Sequence, residues 1–251
     1  AHELKTPFFT AQGYILTLLE GKVKDRKLIQ KYLEKASKAT DRLGFIIQDV
    51  DLITQFETGI TNLKIERFDL CDLIRGLVDS FEIKMKQKGS EITYDFGNDK
   101  SIFVNADNLR ITQVMSNLIE NSLKYGVENG TIEIVTKNLS KEKVLVRVID
   151  NGQGISEEDL PRVFERFYRV DKTRNRQEGG SGLGLAIVKH IVEAHNEIVY
   201  VESSLNVGSE FSFTLTKTYW IIILKMGSKN KLKKFKENNT FKNVIQPNIK
   251  E

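Results

Sequence analysis

"NLIENSLKY" (117–125) decides how this chain is read. It closes an apolar-periodic run that starts after Asp107, a residue suited to cap a helix over 108–124. On that helix Asn117, Asn121 and Lys124 recur at spacings of four and three, so two amides and an ammonium leave one face. Amide oxygens can coordinate a hard cation, and a lysine can meet phosphate. A polar helical face can also be plain solvated surface. The nonapeptide alone leaves both readings open.

Downstream, "TIEIVTK" (131–137) and "KVLVRVID" (143–150) alternate as a β pair. The second ends in "DNGQG" (150–154), where Asp150 is able to accept from an exocyclic amine such as adenine's and the glycines let backbone approach a ligand. An ordinary strand-ending turn has the same composition. A short helix over 156–164 and a polar stretch over 168–181 follow, then a glycine-rich helix entry, "GGSGLGLAIV" (179–188). Its free N–H groups and helix dipole suit phosphate. It is neither a P-loop, lacking Gly-Lys-Ser/Thr, nor a dinucleotide fingerprint, lacking a βαβ context. The helix runs over 183–194, and "EIVYVES" and "SEFSFTL" form a last pair.

Upstream, "LKIERFDL" reads as a strand, 71–88 as a helix, and "EITYDF" and "SIFVNAD" as strands. This order predicts a two-layer α+β domain with a mobile loop near its end. The first sixty residues differ. Leu4, Phe8, Ala11, Ile15 and Leu18 are spaced 4, 3, 4, 3, and Ile29, Tyr32, Ala36, Ala39, Leu43, Ile46, Val50 and Ile53 continue the alternation after a charged turn at 21–25. Both arms of a helical hairpin thus carry a seam, and one hairpin cannot bury two. A homodimer forming a four-helix bundle is the simplest solution. The chain divides into a hairpin (1–60), a second domain (61–217) with its linker at 58–61, and a tail (218–251).

Composition narrows the classes. With 40% hydrophobic and 29% charged residues the chain is an ordinary globular one. The formal charge is +4, but residues 225–251 hold eight Lys against two Glu, so the remainder is close to −2. The basic balance belongs to the tail, and no nucleic-acid partner is expected. The single cysteine, Cys71, excludes an internal disulfide and reads as a small core residue. The apolar run 219–224 is far short of the roughly 20 residues of a membrane span, and no signal peptide is visible.

Together with "FERFYR" (164–169) and the opening "AHELKTP" (1–7), these clusters resemble the sensor histidine kinases of two-component signalling over about residues 1–216. The resemblance implies a dimerisation and phosphotransfer hairpin, followed by an ATP-binding sandwich of the gyrase, chaperone, kinase and mismatch-repair superfamily. It implies that His2 takes the γ-phosphate of ATP, that Glu3 orients its ring and takes its proton, and that Thr6 positions water for dephosphorylating a response regulator. Pro7 removes a donor to the Glu3 carbonyl, which should bend the helix beside His2.

For the nucleotide the resemblance implies Mg²⁺ at Asn121 with Asn117, phosphate contact by Lys124, and Tyr125 against the adenine. It further implies Asp150 on the adenine amine, a pocket shaped by Gly152 and Gly154, and a lid bounded by Gly180, Gly182, Leu183 and Gly184. Phe164 and Phe167 would pack, while Arg166 or Arg169 would reach the γ-phosphate. A clamp ATPase of the same superfamily would need a catalytic glutamate where this chain has Asn117. The implied partner is a response-regulator receiver domain. The implied setting is the cytoplasmic core of a longer, membrane-anchored sensor. Two departures stand out: Asn196 replaces the usual glycine after "EAH", where it should still serve as a left-handed cap, and only Ala1 precedes His2.

Overall fold

Asp25, Asp69 and Asp107 each stand one residue before a helix and cap it, accepting from the backbone N–H of Lys27 (3.0 Å), Cys71 (2.9 Å) and Arg110 (3.1 Å). They start α2 (Arg26–Glu57), α3 (Leu70–Lys88) and α4 (Asn108–Tyr125). The remaining helices among the described residues are α1 (His2–Leu19) and α5 (Gly184–Ala194). The computed structural model describes residues 2–59, 62–170 and 181–218, without the His2 side chain. The tail reading and Gly180 therefore lie outside the described residues.

α1 and α2 form the expected hairpin, pinned by Tyr14 against Tyr32 at 5.3 Å between ring centroids. The α1 seam departs from expectation. Leu4, Ala11 and Leu18 turn inward together with Pro7 and Tyr14, while Phe8 and Ile15 are 50% and 45% exposed. One partner helix covers only a narrow stripe, so half of a broad seam stays uncovered within a single chain. α2 is 32 residues long against 18 for α1, and its overhang carries Leu52, Ile53 and Phe56 onto α5.

The strands are β1 (Glu66–Asp69), β2 (Glu91–Asp95), β3 (Phe103–Ala106), β4 (Thr131–Asn138), β5 (Lys143–Asp150), β6 (Val199–Ser204) and β7 (Gly208–Thr216). β1 pairs with β3, and the others form a five-stranded mixed sheet in the order β2-β4-β5-β7-β6. Only β2 and β4 run parallel. In β4 and β5 alternate residues (Ile132, Ile134, Val144, Val146, Val148) enter the core, which α3, α4 and α5 close. Each such side chain contributes roughly 1.5–3 kcal/mol by leaving water. Burial pushes the Cys71 thiol up to about 11, as suits an inert core residue.

Where a helix was expected over 156–164 there is only a 3₁₀ turn, Leu160–Arg162. Pro161 cannot donate to the backbone, and Ser156 holds the Asp159 N–H in a tight turn through both its carbonyl (3.1 Å) and its hydroxyl (3.3 Å). α5 ends as Asn196 allows: its φ is 56°, and the N–H groups of Asn196 and Glu197 return to Glu193 and Val192 in a Schellman motif. Beyond it, the buried Glu197 carboxylate accepts from Lys143 (2.6 Å), Thr214 (2.6 Å) and Thr216 (2.7 Å), tying β5, β7 and the α5 exit together.

Candidate nucleotide site

α4 buries Ile111, Val114, Met115, Leu118, Ile119 and Ser122, which leaves Asn117, Asn121 and Lys124 along the rim of a cleft of about 570 Å³. Tyr125, Asp150, Gly154, Arg169, Gly182 and Gly184 line the same cleft. The Asn117 amide donates to the Gly184 carbonyl at 3.3 Å, so α4 holds the start of α5. The first-turn N–H groups of α5 lack intrahelical partners, and Gly184 and Leu185 bring that end to the cleft. Lys124 donates to the Tyr125 hydroxyl at 3.0 Å.

Asp150 ends β5 opposite Ile132 and Ser209, which fixes it between two strands. One of its oxygens accepts from Ser122 Oγ at 2.8 Å and the other from the Gly152 N–H at 2.9 Å. It is 9% exposed. Burial holds its carboxyl above the usual value, and the bonds from Gly152, Ser122 and Ser209 offset only part of that push. A carboxylate accepts about four hydrogen bonds, so capacity remains for a ligand donor.

Two glycines are required by geometry. At Gly154 (φ 68°) a Cβ would lie 2.0 Å from the Ser204 carbonyl, and at Gly182 (φ 71°) it would lie 2.9 Å from Phe167 Cα. The Phe167 N–H donates to the Gly182 carbonyl at 2.8 Å, and Phe164 meets Phe211 edge-on at 6.3 Å. The aromatic segment is thereby anchored beside the glycines. Tyr168 lines the cleft and donates to Asp159, while Arg162 lies 4.2 Å over its ring.

Not every expected residue reaches the cleft wall. Leu183 is fully buried in the core, because it caps α5 on its inner side. Gly152 is buried behind Asp150, and its added Cβ would meet the Tyr125 carbonyl at 2.7 Å. Arg166 pairs with Glu57 of α2 rather than lining the cleft. Beside it, burial and then the Arg166 charge hold His190 below its usual value. Glu3 is half-buried and Thr6 exposed on α1, the Thr6 carbonyl accepting from Thr10 at 2.8 Å.

Lys88, Gln153 and Ser209 also line the cleft, as does Asp49 of α2. Sequence reading missed all four. Lys88 donates to the Leu123 carbonyl, and Ser209 is a strand residue with no motif around it. Asp49 adjoins Val50 of the seam and belongs to no motif.

Residues 106–219 match the family model described as histidine kinase-, DNA gyrase B- and HSP90-like ATPase, and residues 1–59 match the His Kinase A (phospho-acceptor) domain. The catalytic domain of the histidine kinase ThkA is 31% identical, with 62% of this chain and 97% of that one covered at a TM-score of 0.55. The chain belongs to the sensor histidine kinase family. Another member, the Acinetobacter baumannii histidine kinase AdeS, superposes with a TM-score of 0.70 at 25% identity, covering 87% of this chain and 99% of AdeS. The sensor histidine kinase WalK of Bacillus subtilis is 33% identical over 216 residues. This histidine kinase chain is covered to 86% by that match but spans 35% of WalK's length. Among the described residues no helix is long and apolar enough to cross a membrane.

Proposed function

We propose that this chain is the catalytic core of an ATP-dependent protein histidine kinase, which phosphorylates itself on His2 and passes the phosphoryl group to an aspartate of a response-regulator receiver domain. The observation that carries the reading is one cleft joining a desolvated acceptor (Asp150), two amides and a lysine on α4, and the open N-terminus of α5. It offers an adenine-binding end and a phosphate-binding end. Two relatives support the ligands: ShkA was solved in complex with AMPPNP, and ThkA with the response regulator TrrA.

In this reading an imidazole nitrogen of His2 attacks the γ-phosphorus, the bond to the bridging oxygen breaks, ADP leaves, and the displaced ring proton passes to Glu3. Asn121, with Asn117, would hold Mg²⁺ through amide oxygens. Among the described residues no cluster of three His, Cys, Asp or Glu side chains is arranged to hold a metal, which fits an ion that enters with the triphosphate. The ion, when bound, would supply charge neutralisation for the phosphates. Lys124 meets the phosphates, Tyr125 flanks the adenine, and Gly182 and Gly184 let the backbone close on the nucleotide. Arg169, which lines the cleft, is the better placed of the two arginines for the γ-phosphate. Thr6 positions water for the reverse, dephosphorylating step.

The exposed apolar side chains of the hairpin, Phe8, Ile15 and Leu16 on α1 with Leu33 and Phe45 on α2, support a homodimer. The same reading puts the core on the cytoplasmic side of a longer sensor, where ATP is. The test is incubation with γ-labelled ATP and Mg²⁺. Label that is lost in acid, survives base and vanishes in His2→Gln is expected. Undiminished labelling of His2→Gln would overturn the assignment.

A further inference from the structure

α2 carries two carboxylates eight residues apart, Asp49 and Glu57, just over two turns and so on neighbouring positions of one face. Between them Leu52 and Ile53 are 7% and 1% exposed in the shared core, and the helix packs on α5. Glu57 holds Arg166. Asp49 lines the nucleotide cleft, in company with Asn117, Asn121, Lys124 and Leu185. It is half-buried and, among the described residues, has no hydrogen bond or ion pair. Burial alone holds its carboxyl above the usual value. None of the roles proposed above uses it.

A partly desolvated carboxylate that lines a phosphate site interacts with whatever charge arrives there. We propose that Asp49 couples nucleotide charge to hairpin docking: a triphosphate in the cleft repels the Asp49 carboxylate and shifts the α2 overhang toward release from α5, more than a diphosphate does. The inference rests on the reading of the cleft as a nucleotide site. What opposes the repulsion is an apolar patch in which Leu52 and Ile53 are buried, with one ion pair between side chains that are 38% and 45% exposed, so the added charge shifts the docking equilibrium and does not abolish docking. Release breaks that pair and returns the Arg166 guanidinium to the segment bordering the cleft. By linkage, the docked hairpin lowers affinity for the triphosphate by the same factor that the triphosphate disfavours docking.

The test uses the whole chain, with AMPPNP and ADP as probes, each with Mg²⁺ and with EDTA. Binding is followed by calorimetry and docking by amide hydrogen exchange over 49–57 and 184–194. In the unmodified protein AMPPNP raises exchange in both segments more than ADP does. Asp49→Asn abolishes that response and tightens AMPPNP about three- to tenfold relative to ADP, the effect being largest in EDTA. Asp49→Glu restores the original behaviour, and Asp51→Asn, on the exposed side of the same helix, leaves it unchanged. An unmodified protein that binds AMPPNP without a change in exchange overturns the proposal, as does an intact response in Asp49→Asn. Weaker AMPPNP binding by Asp49→Asn overturns it too, since the carboxylate would then attract the ligand through the metal. Failure of the unmodified protein to bind either nucleotide overturns the nucleotide reading itself.

Discussion

Replacing Asp150 by Asn separates what the residue does for the fold from what it does for the ligand. The amide is nearly isosteric with the carboxylate. With its oxygen toward Gly152 it keeps the 2.9 Å bond from that N–H, and its NH₂ then donates to Ser122 Oγ, because a hydroxyl serves as donor or acceptor. The buried charge disappears. Burial already holds the Asp150 carboxyl above its usual value, so ionisation at neutral pH works against the folded state. Thermal stability without nucleotide should therefore stay level or rise. Binding responds in the opposite direction. A hydrogen bond to a charged acceptor is worth about 1.5–3 kcal/mol, so losing the one from the adenine amine should weaken ADP by roughly ten- to a hundredfold. Calorimetric titration with ADP beside a thermal melt reads both quantities from one preparation. Unchanged affinity, or a loss of affinity matched by a fall in melting temperature, would refute the reasoning.

The remaining expectations concern the supports of the site. Because the folded Asp150 value lies above 3.8, stability from this group is full below the unfolded value and is lost as pH rises through the folded one. Nucleotide affinity runs the other way and falls as pH drops through it. Ser122→Ala removes a bond that lowers that value, so the acid limb of ADP binding should move to higher pH in a titration series. Glu197→Ala removes a carboxylate whose side chain is only 3% exposed and strands Lys143 and two threonine hydroxyls, at a cost of about 2–3 kcal/mol seen in urea unfolding, the 39% exposure of Lys143 keeping it below that of a fully buried pair. Burial pushes the Glu197 carboxyl up, but Lys143, Thr214 and Thr216 together hold it below 4.5. Its contribution is thus present above the unfolded value and lost as pH falls through the folded one. Gly154→Ala adds a left-handed strain of roughly 1–2 kcal/mol to a Cβ placed 2.0 Å from the Ser204 carbonyl. A melting temperature lowered by more than about 4 °C is expected, and an unshifted melt would count against a left-handed turn packed on the Ser204 carbonyl.

The cleft was legible wherever one local rule governed one side chain. Asn117, Asn121 and Lys124 share a face because helical spacing puts them there, and Asp150 is the residue at which the alternation of β5 stops. Ser122, by contrast, lies one residue from Asn121 and so about 100° around the helix. Spacing assigns it to the core without revealing that the core there contains Asp150. Lys88 reaches the cleft only because α3 ends beside α4, a tertiary fact with no local trace. The short helix over 156–164 failed for another reason. Ser156, Asp159 and Pro161 favour turns through side-chain and ring effects that a count of apolar spacings does not weigh.

The α2 seam shows the deepest limit. Its 3-4 spacing runs unbroken from Ile29 to Ile53, which reads as one partner along the whole helix. α1 has only 18 residues, about 27 Å, against about 48 Å for α2. The same periodicity therefore serves two partners in turn: α1 over the first part, and α5 over the overhang that holds Ile53 and Phe56. Periodicity reports that a face is buried, not against what. That ambiguity concealed Asp49, which flanks a hairpin seam when α2 is read alone but lines the candidate cleft once its overhang packs on α5. A helix shared between the hairpin and the α/β layer carries any shift of its overhang to both sides, so the position of Asp49 matters more than its neighbours in sequence suggest.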